Sequence, residues 1–200
     1  MYHIDQWKNK GLLPKDIKLE KSGAIIKSIL KVYNIYQNKT KDLNAFDFGD
    51  LILFCVKLFE ENQDIREIYQ KNFKYILVDE FQDTAVSQFD LLKALTAEWQ
   101  QDNASHAGHP RTLFVVGDGM QSIYGFRAAK VGLFLTAKSS GIVDLPLHSV
   151  ELVQNFRSTP DVVEWNNHHF SQAFPSTIDI SRGAVPYAKA KSIGCPFTRV

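Results

Sequence analysis

Two short apolar runs in this chain end in acid. Tyr75-Ile76-Leu77-Val78 leads into Asp79 and Glu80, and Thr112 to Val116 leads into Gly117 and Asp118. In open α/β sheets, ligands gather beyond the carboxyl ends of the strands, so all three acids are candidates for chemistry. An Asp at such a strand end suits Mg²⁺, a hard cation that takes oxygen ligands and keeps several waters. A Glu beside it can polarise a water for attack on a phosphate. The same acids could instead do no more than cap the helix that follows. Other chemistries fail on pattern. His3, His106, His109, His148, His168 and His169 show no metal-ligand spacing beside cysteine and read as surface or loop residues. Ser87 and Ser122 have no His/Asp partner in a nucleophile motif. Cys55 and Cys195 cannot build a disulfide framework or a four-ligand zinc site.

The elements that must position these acids follow from periodicity. Both runs lack alternation, as expected of strands buried on two faces of a parallel sheet. Helical spacing returns from Thr84 to Trp99 through Val86, Phe89, Leu92 and Leu95. Gln100 to Arg111 reads as a loop broken by Gly108 and Pro110. Strand, helix, strand with polar connections is an α/β unit. Upstream, Gly23 to Gln37 carries one apolar stripe, and a polar break spans Asn38 to Asn44. Asp47 is placed to cap a helix running to Phe59, apolar nearly all round and therefore expected buried, with Cys55 in the core. Downstream, an apolar segment at Val150 to Val153 precedes a helix from Asp161 to Phe174.

Composition sets outer bounds. The chain has 200 residues, 44% hydrophobic and 22% charged, which is globular rather than disordered. Its longest apolar runs are too short to cross a bilayer, and no secretory leader pattern opens it. A non-membrane protein of a reducing, cytoplasmic compartment is the expectation. Net charge is only +1, yet residues 1–41 hold nine lysines against Asp5, Asp16 and Glu20. Arg182, Lys189, Lys191 and Arg199 follow the last acid, Asp179. Basic ends of this kind either face phosphates or simply solvate the surface.

The longer string Val78-Asp79-Glu80-Phe81-Gln82-Asp83-Thr84 resembles motif II, the Walker B box, of superfamily 1 DNA helicases of the UvrD/Rep type. Gly117 to Ala129, reading GDGMQSIYGFRAA, resembles their motif III, and Gln154 to Thr159, reading QNFRST, their motif IV. Weaker likeness extends to Trp7–Leu12 and Phe46–Leu51, and fades after about Pro175. The resemblance implies ATP and Mg²⁺ as cofactors, with single-stranded and duplex DNA as partners. It implies Asp79 as the Mg²⁺ ligand, Glu80 as the base activating water, and Gln121 as a contact to the γ-phosphate. Gln82 and Asp118 would line the nucleotide site, with Gln82 and Asp83 coupling it to DNA. Tyr124 and Phe126 would stack on bases, with Arg127 bracing their loop by ion pairing. Arg157 would act as an arginine finger and Phe156 would stack near the adenine. Taken on spacing alone, Tyr124 and Phe126 read better as core aromatics, and Arg157 could be a surface ion-pair residue.

The implied architecture is α/β: a helical accessory region at 1–70, the latter part of a RecA-like P-loop motor domain at 71–145, and the start of a second motor domain at 146–200. Gly119 and Met120 stand where motif III usually has polar or acidic residues. Phe126 stands where the UvrD branch often has Trp. With Phe156 and the tail at Arg182–Tyr187, this leans toward the RecB/AddA-like, exonuclease-associated branch, whose members work with partner subunits. No Gly-x-x-x-x-Gly-Lys-[Ser/Thr] occurs in the 200 residues. The expectation is therefore a middle slice of a 3′-to-5′ helicase, inactive alone. The alternative is an ATPase-dead relic that only binds single-stranded DNA.

Overall fold

The computed structural model describes residues 1–19, 23–105 and 108–193. Glu20, Lys21, His106, Cys195 and Arg199, which figure in the sequence readings, lie outside them. The helical part comprises α1 (Tyr2–Asn9), α2 (Ala24–Asp42), α3 (Phe48–Glu61) and α4 (Gln63–Asn72). Then come β1 (Tyr75–Val78), α5 (Val86–Thr96), α6 (Trp99–Ser105), β2 (Thr112–Val115) and α7 (Val131–Ser140). The chain continues through β3 (Gln154–Asn155), α8 (Pro160–Ala173) and β4 (Lys191–Ser192).

β1 and β2 pair in parallel, Tyr75 opposite Thr112 and Val78 opposite Val115. This is the expected α/β unit, mixed helix with small parallel sheets. Ile76, Val78, Leu113 and Val115 face a core of Phe81, Phe89, Leu92, Ala137 and Ile142, supplied largely by α5 and α7. Burial on two faces is not observed. Tyr75, Leu77 and Phe114 are 68%, 69% and 61% exposed. The described residues place helices on one face of the pair only, so a run that is apolar on both faces buries just one of them.

The other core joins the N-terminal helices, with Ile4, Leu30 and Tyr33 buried and Trp7, Ile17 and Leu19 packed around them. Asp47 caps α3 as expected, accepting the Asp50 amide at 2.8 Å while the Asp50 carboxylate accepts the Asp47 amide. α3 is not buried all round. Leu53, Val56 and Phe59 point inward, but Phe48 is 92% exposed and Cys55 is exposed, not a core residue. α2 runs through the expected polar break to Asp42, since its polar residues are all tolerated in an exposed helix. α6 occupies part of the expected 100–111 loop, anchored by the fully buried Trp99. Periodicity did not announce α1, α4 or α7.

The second parallel pair, β3 with β4, joins Gln154 to Lys191 and Asn155 to Ser192. Asn167 of α8 secures it by donating to the Ala190 carbonyl at 2.8 Å and accepting the Ala190 amide at 3.0 Å. The intervening segment packs back on the first unit: a Cβ on Gly132 would lie 2.5 Å from the Ile180 carbonyl oxygen. None of the described helices is long and apolar enough to cross a membrane.

Candidate functional site

The parallel ladder continues past the strand ends and brings the two acidic turns together. Val116 N donates to the Val78 carbonyl at 2.8 Å, and Phe81 N donates to the Val116 carbonyl at 2.9 Å. Between them Glu80 takes a left-handed conformation, φ 51°, a strained choice for a residue with a Cβ. This kink turns the chain from strand into the short 3-10 turn Phe81–Asp83 and leaves Asp79 and Glu80 exposed at the strand mouth.

Gln82 welds the two turns. It is 1% exposed, its Nε2 donates to Glu80 Oε2 at 2.5 Å, and its Oε1 accepts the Asp118 amide at 2.9 Å. Gly117 makes room for it: a Cβ there would lie 2.6 Å from Gln82 Oε1. Asp118 in turn accepts from Met120 N at 2.9 Å and from Gln121 Nε2 at 2.8 Å. Ser122 Oγ donates to Asp83 Oδ1 at 3.0 Å, and Lys130 N donates to the Thr84 carbonyl at 3.1 Å. The acids of the first turn and the loop of the second are thus one hydrogen-bonded unit. Beside β1 opens a cleft of about 420 Å³, lined in part by Ile76, Leu91 and Leu95 with Asp79 and Glu80 at its polar side.

The residues fit a partial cation site. Asp79 Oδ1 accepts the Glu80 amide at 2.9 Å, and its second oxygen has no protein partner among the described residues. No group of three or more His, Cys, Asp or Glu side chains converges among the described residues. A cation that keeps most of its water and needs one or two carboxylates matches this donor set.

The far end of the unit is aromatic. Tyr124 and Phe126 are 38% and 61% exposed, with ring centroids 5.7 Å apart, so neither is a core residue. Arg127 forms no ion pair among the described residues. Its guanidinium instead lies 5.2 Å from the Tyr124 centroid and 5.5 Å from that of Phe126. In place of the expected ion-pair brace the described residues give a cation–π brace on two rings. Phe156 and Arg157 are exposed next to β3, where Asn155 Oδ1 accepts the Arg157 amide at 2.9 Å. Neither side chain forms a hydrogen bond or ion pair with the 79–83 turn among the described residues.

The three blocks thus occur in a parallel α/β framework, and the chain's similarity to known proteins can be set beside it. Residues 1–141 match the family model described as the UvrD/REP helicase N-terminal domain. The chain belongs to the UvrD/REP helicase family. Over 193 residues it is 34% identical to "Exonuclease/helicase subunit RexA" of Lactococcus lactis subsp. cremoris (strain MG1363), covering 95% of this chain and 15% of that protein. It is 34% identical over 167 residues to a "Probable DNA helicase II homolog" of Mycoplasma capricolum subsp. capricolum, covering 84% and 21%. It is 33% identical over 184 residues to "ATP-dependent DNA helicase PcrA" of Leuconostoc citreum, covering 90% and 23%. The chain spans less than a quarter of the length of each of these relatives.

Sequence reasoning missed Lys8. Read from sequence as part of the basic surface, it is fully buried, its Nζ 2.6 Å from Asp47 Oδ2 and 2.8 Å from Asp50 Oδ1. Tyr36 adds its hydroxyl to Asp47 at 2.8 Å. Burial pushes the Asp47 carboxyl up, but Lys8, the Asp50 amide and Tyr36 together hold it below the usual range. The one available signal was the cap itself: two acids three residues apart at a helix start can share a cation as well as a capping box.

Proposed function

We propose that this UvrD/REP-family chain is part of an ATP-dependent DNA helicase or translocase that moves 3′-to-5′ on single-stranded DNA in replication, repair or recombination. The observation that carries the reading is the exposed Tyr124–Phe126 pair, hung through Ser122 and Lys130 on the turn that bears the strand-end acids. A ligand event at Asp79–Glu80 is then mechanically linked to rings that can grip a base. In this reading residues 1–70 are the accessory helices, 71–145 the latter part of a RecA-like motor domain, and 146–200 the start of a second one.

When bound, ATP with Mg²⁺ supplies the phosphoryl transfer that drives the motor. The free oxygen of Asp79 would hold the ion. Glu80, its carboxylate steadied by Gln82, orients the attacking water and accepts its proton. Gln82 and Asp118 would line the nucleotide side, and Gln121, bonded here to Asp118, would contact the γ-phosphate. Gln82 and Asp83 pass the change to the loop through Asp118 and Ser122. Arg157 would serve as an arginine finger from the second domain, and Phe156 would stack beside the adenine. Tyr124 and Phe126 stack on successive bases without reading sequence, because every base has a π-face. A RecB/AddA-like role would add partner subunits.

These 200 residues carry no glycine-rich phosphate cradle, so ATP turnover by this chain alone is expected to be near zero. DNA-stimulated ATPase lost in Glu80→Gln would refute that expectation. The central test is anisotropy with a labelled oligo-dT at low salt. Salt-sensitive binding that falls roughly 5- to 150-fold in Tyr124→Ala is expected from a stacking contact of about 1–3 kcal/mol. Absence of binding at low salt would overturn the reading.

A further inference from the structure

We infer that α1 is a strut that sets the geometry of the aromatic loop, with Gln6 and Asn9 as positioning residues for Tyr124 and Phe126. Gln6 Nε2 donates to the Phe126 carbonyl at 2.7 Å, and Asn9 Nδ2 donates to the Arg127 carbonyl at 3.1 Å. Residues three apart share one face of a helix, so both amides meet the loop from the same side. Ile4 and Lys8 lie on the opposite face, 2% and 0% exposed. α1 is therefore gripped behind and holds the loop in front.

The rear grip has little slack. Lys8 reaches Asp47 and Asp50 of the α3 cap at once, and Trp7 stacks on Tyr33 of α2 with centroids 5.8 Å apart. At Gly49 of α3 an added Cβ would lie 2.9 Å from Lys8 Cδ, so the helices already touch. The loop, by contrast, has weak means of its own. Its local bonds are those of a 3-10 turn, Arg127 N to the Tyr124 carbonyl and Ala128 N to the Gly125 carbonyl, with Ala129 N also donating to the Tyr124 carbonyl at 3.3 Å and Ala128 at φ 64°. An exposed turn of this kind frays unless tied from outside: its C-terminal end is tied by the Ala85–Ala129 bridge and by Lys130 N to the Thr84 carbonyl, and α1 supplies the ties at Phe126 and Arg127. A tilt of the N-terminal helices consequently moves the rings. The strut links the accessory helices to the surface that faces DNA in the proposed function, and its DNA consequence rests on that reading.

The test uses the full 200-residue chain carrying Gln6→Ala/Asn9→Ala, with Gln6→Glu/Asn9→Asp as a shape-preserving second variant should the first fail to fold. Amide hydrogen exchange at Arg127, Ala128 and Ala129 is expected to rise roughly three- to tenfold, with β1 and α5 unchanged, as two lost surface hydrogen bonds imply. Unchanged exchange in the loop overturns the strut, and this readout needs no DNA. Affinity for oligo-dT is expected to fall by a similar factor in the otherwise unaltered chain, and not to fall further in a Tyr124→Ala/Phe126→Ala background. Equal losses in both backgrounds overturn the positioning role. A chain that binds no oligo-dT sinks the DNA reading, while the exchange result still decides the strut.

Discussion

Gly117→Ala puts the weld between the two acidic turns to a direct test. The new Cβ would sit 2.6 Å from Gln82 Oε1 and 3.2 Å from both Gln82 N and Phe134 Cε2. The amide end of a glutamine usually swings aside cheaply. This one is 1% exposed and bonded at both ends, to Asp118 N at 2.9 Å and to Glu80 Oε2 at 2.5 Å. Moving it forfeits one neutral and one charge-assisted hydrogen bond, about 0.5–1.5 and 1.5–3 kcal/mol. Glu80 is exposed and recovers part of its loss from water. With crowding against the Phe134 ring added, a net cost of about 2–4 kcal/mol is expected. For a chain of this size that lowers the melting temperature by roughly 5–15 °C. The control is Gly125→Ala in the same loop, where an added Cβ meets nothing within 4 Å. Urea unfolding followed by circular dichroism reads both variants, at constant slope if the denatured state is unchanged. A cost at position 117 within about 0.5 kcal/mol of wild type, or an equal cost at both glycines, would refute the weld.

Three further outcomes follow from particular contacts. Lys8→Met leaves the fully buried Asp50 without its cation and is expected to cost about 3–5 kcal/mol, with Lys8→Met/Asp50→Asn recovering part of it. A single-variant cost below about 1 kcal/mol in urea unfolding would mean that the site is solvated. The Tyr36 hydroxyl is pushed up to about 12, chiefly because it donates to Asp47, and Tyr33 is raised too, chiefly by burial. Both folded values exceed the unfolded value of about 10, so this stability is intact below pH ~10 and drains away as pH rises through about 12. Tyr36→Phe, compared with wild type by melting at neutral and alkaline pH, is expected to lose less on the alkaline side, and an equal loss would contradict the assignment. Val143 adopts φ 55° while 46% exposed, a poor conformation for a β-branched side chain that buries little. Val143→Gly is expected to raise stability by about 0.5–1.5 kcal/mol in the same urea experiment, and a loss would show that the exposed isopropyl group packs more than its accessibility suggests.

Much of the candidate site was legible because it is written locally. An apolar run ending in acid marks a strand mouth wherever the strand packs, and Asp79, Glu80 and Asp118 all stand there. The Asp47 cap is likewise a four-residue event that neighbouring residues settle. The aromatic loop was legible only in its motif, since spacing alone favoured burying Tyr124 and Phe126. α4 and α6 stayed hidden because short polar helices carry little periodic signal, and α2 overran its break because Asn, Lys and Thr do not stop an exposed helix.

Sequence alone thus determined the parallel α/β unit, the acids at its strand ends and the family, each of which depends on residue order over a few turns of chain. Tertiary structure alone decided which of those features became connected. Lys8 and Asp50 are 42 positions apart, as the two residue numbers give, and only packing turns a surface-type lysine into a buried counter-ion. Gln6 meets Phe126 across a separation of 120 residues, a contact no local pattern encodes. The exposed outer face of β1 and β2 follows the same rule: apolar residues state what would favour burial, while neighbours in space decide whether it happens.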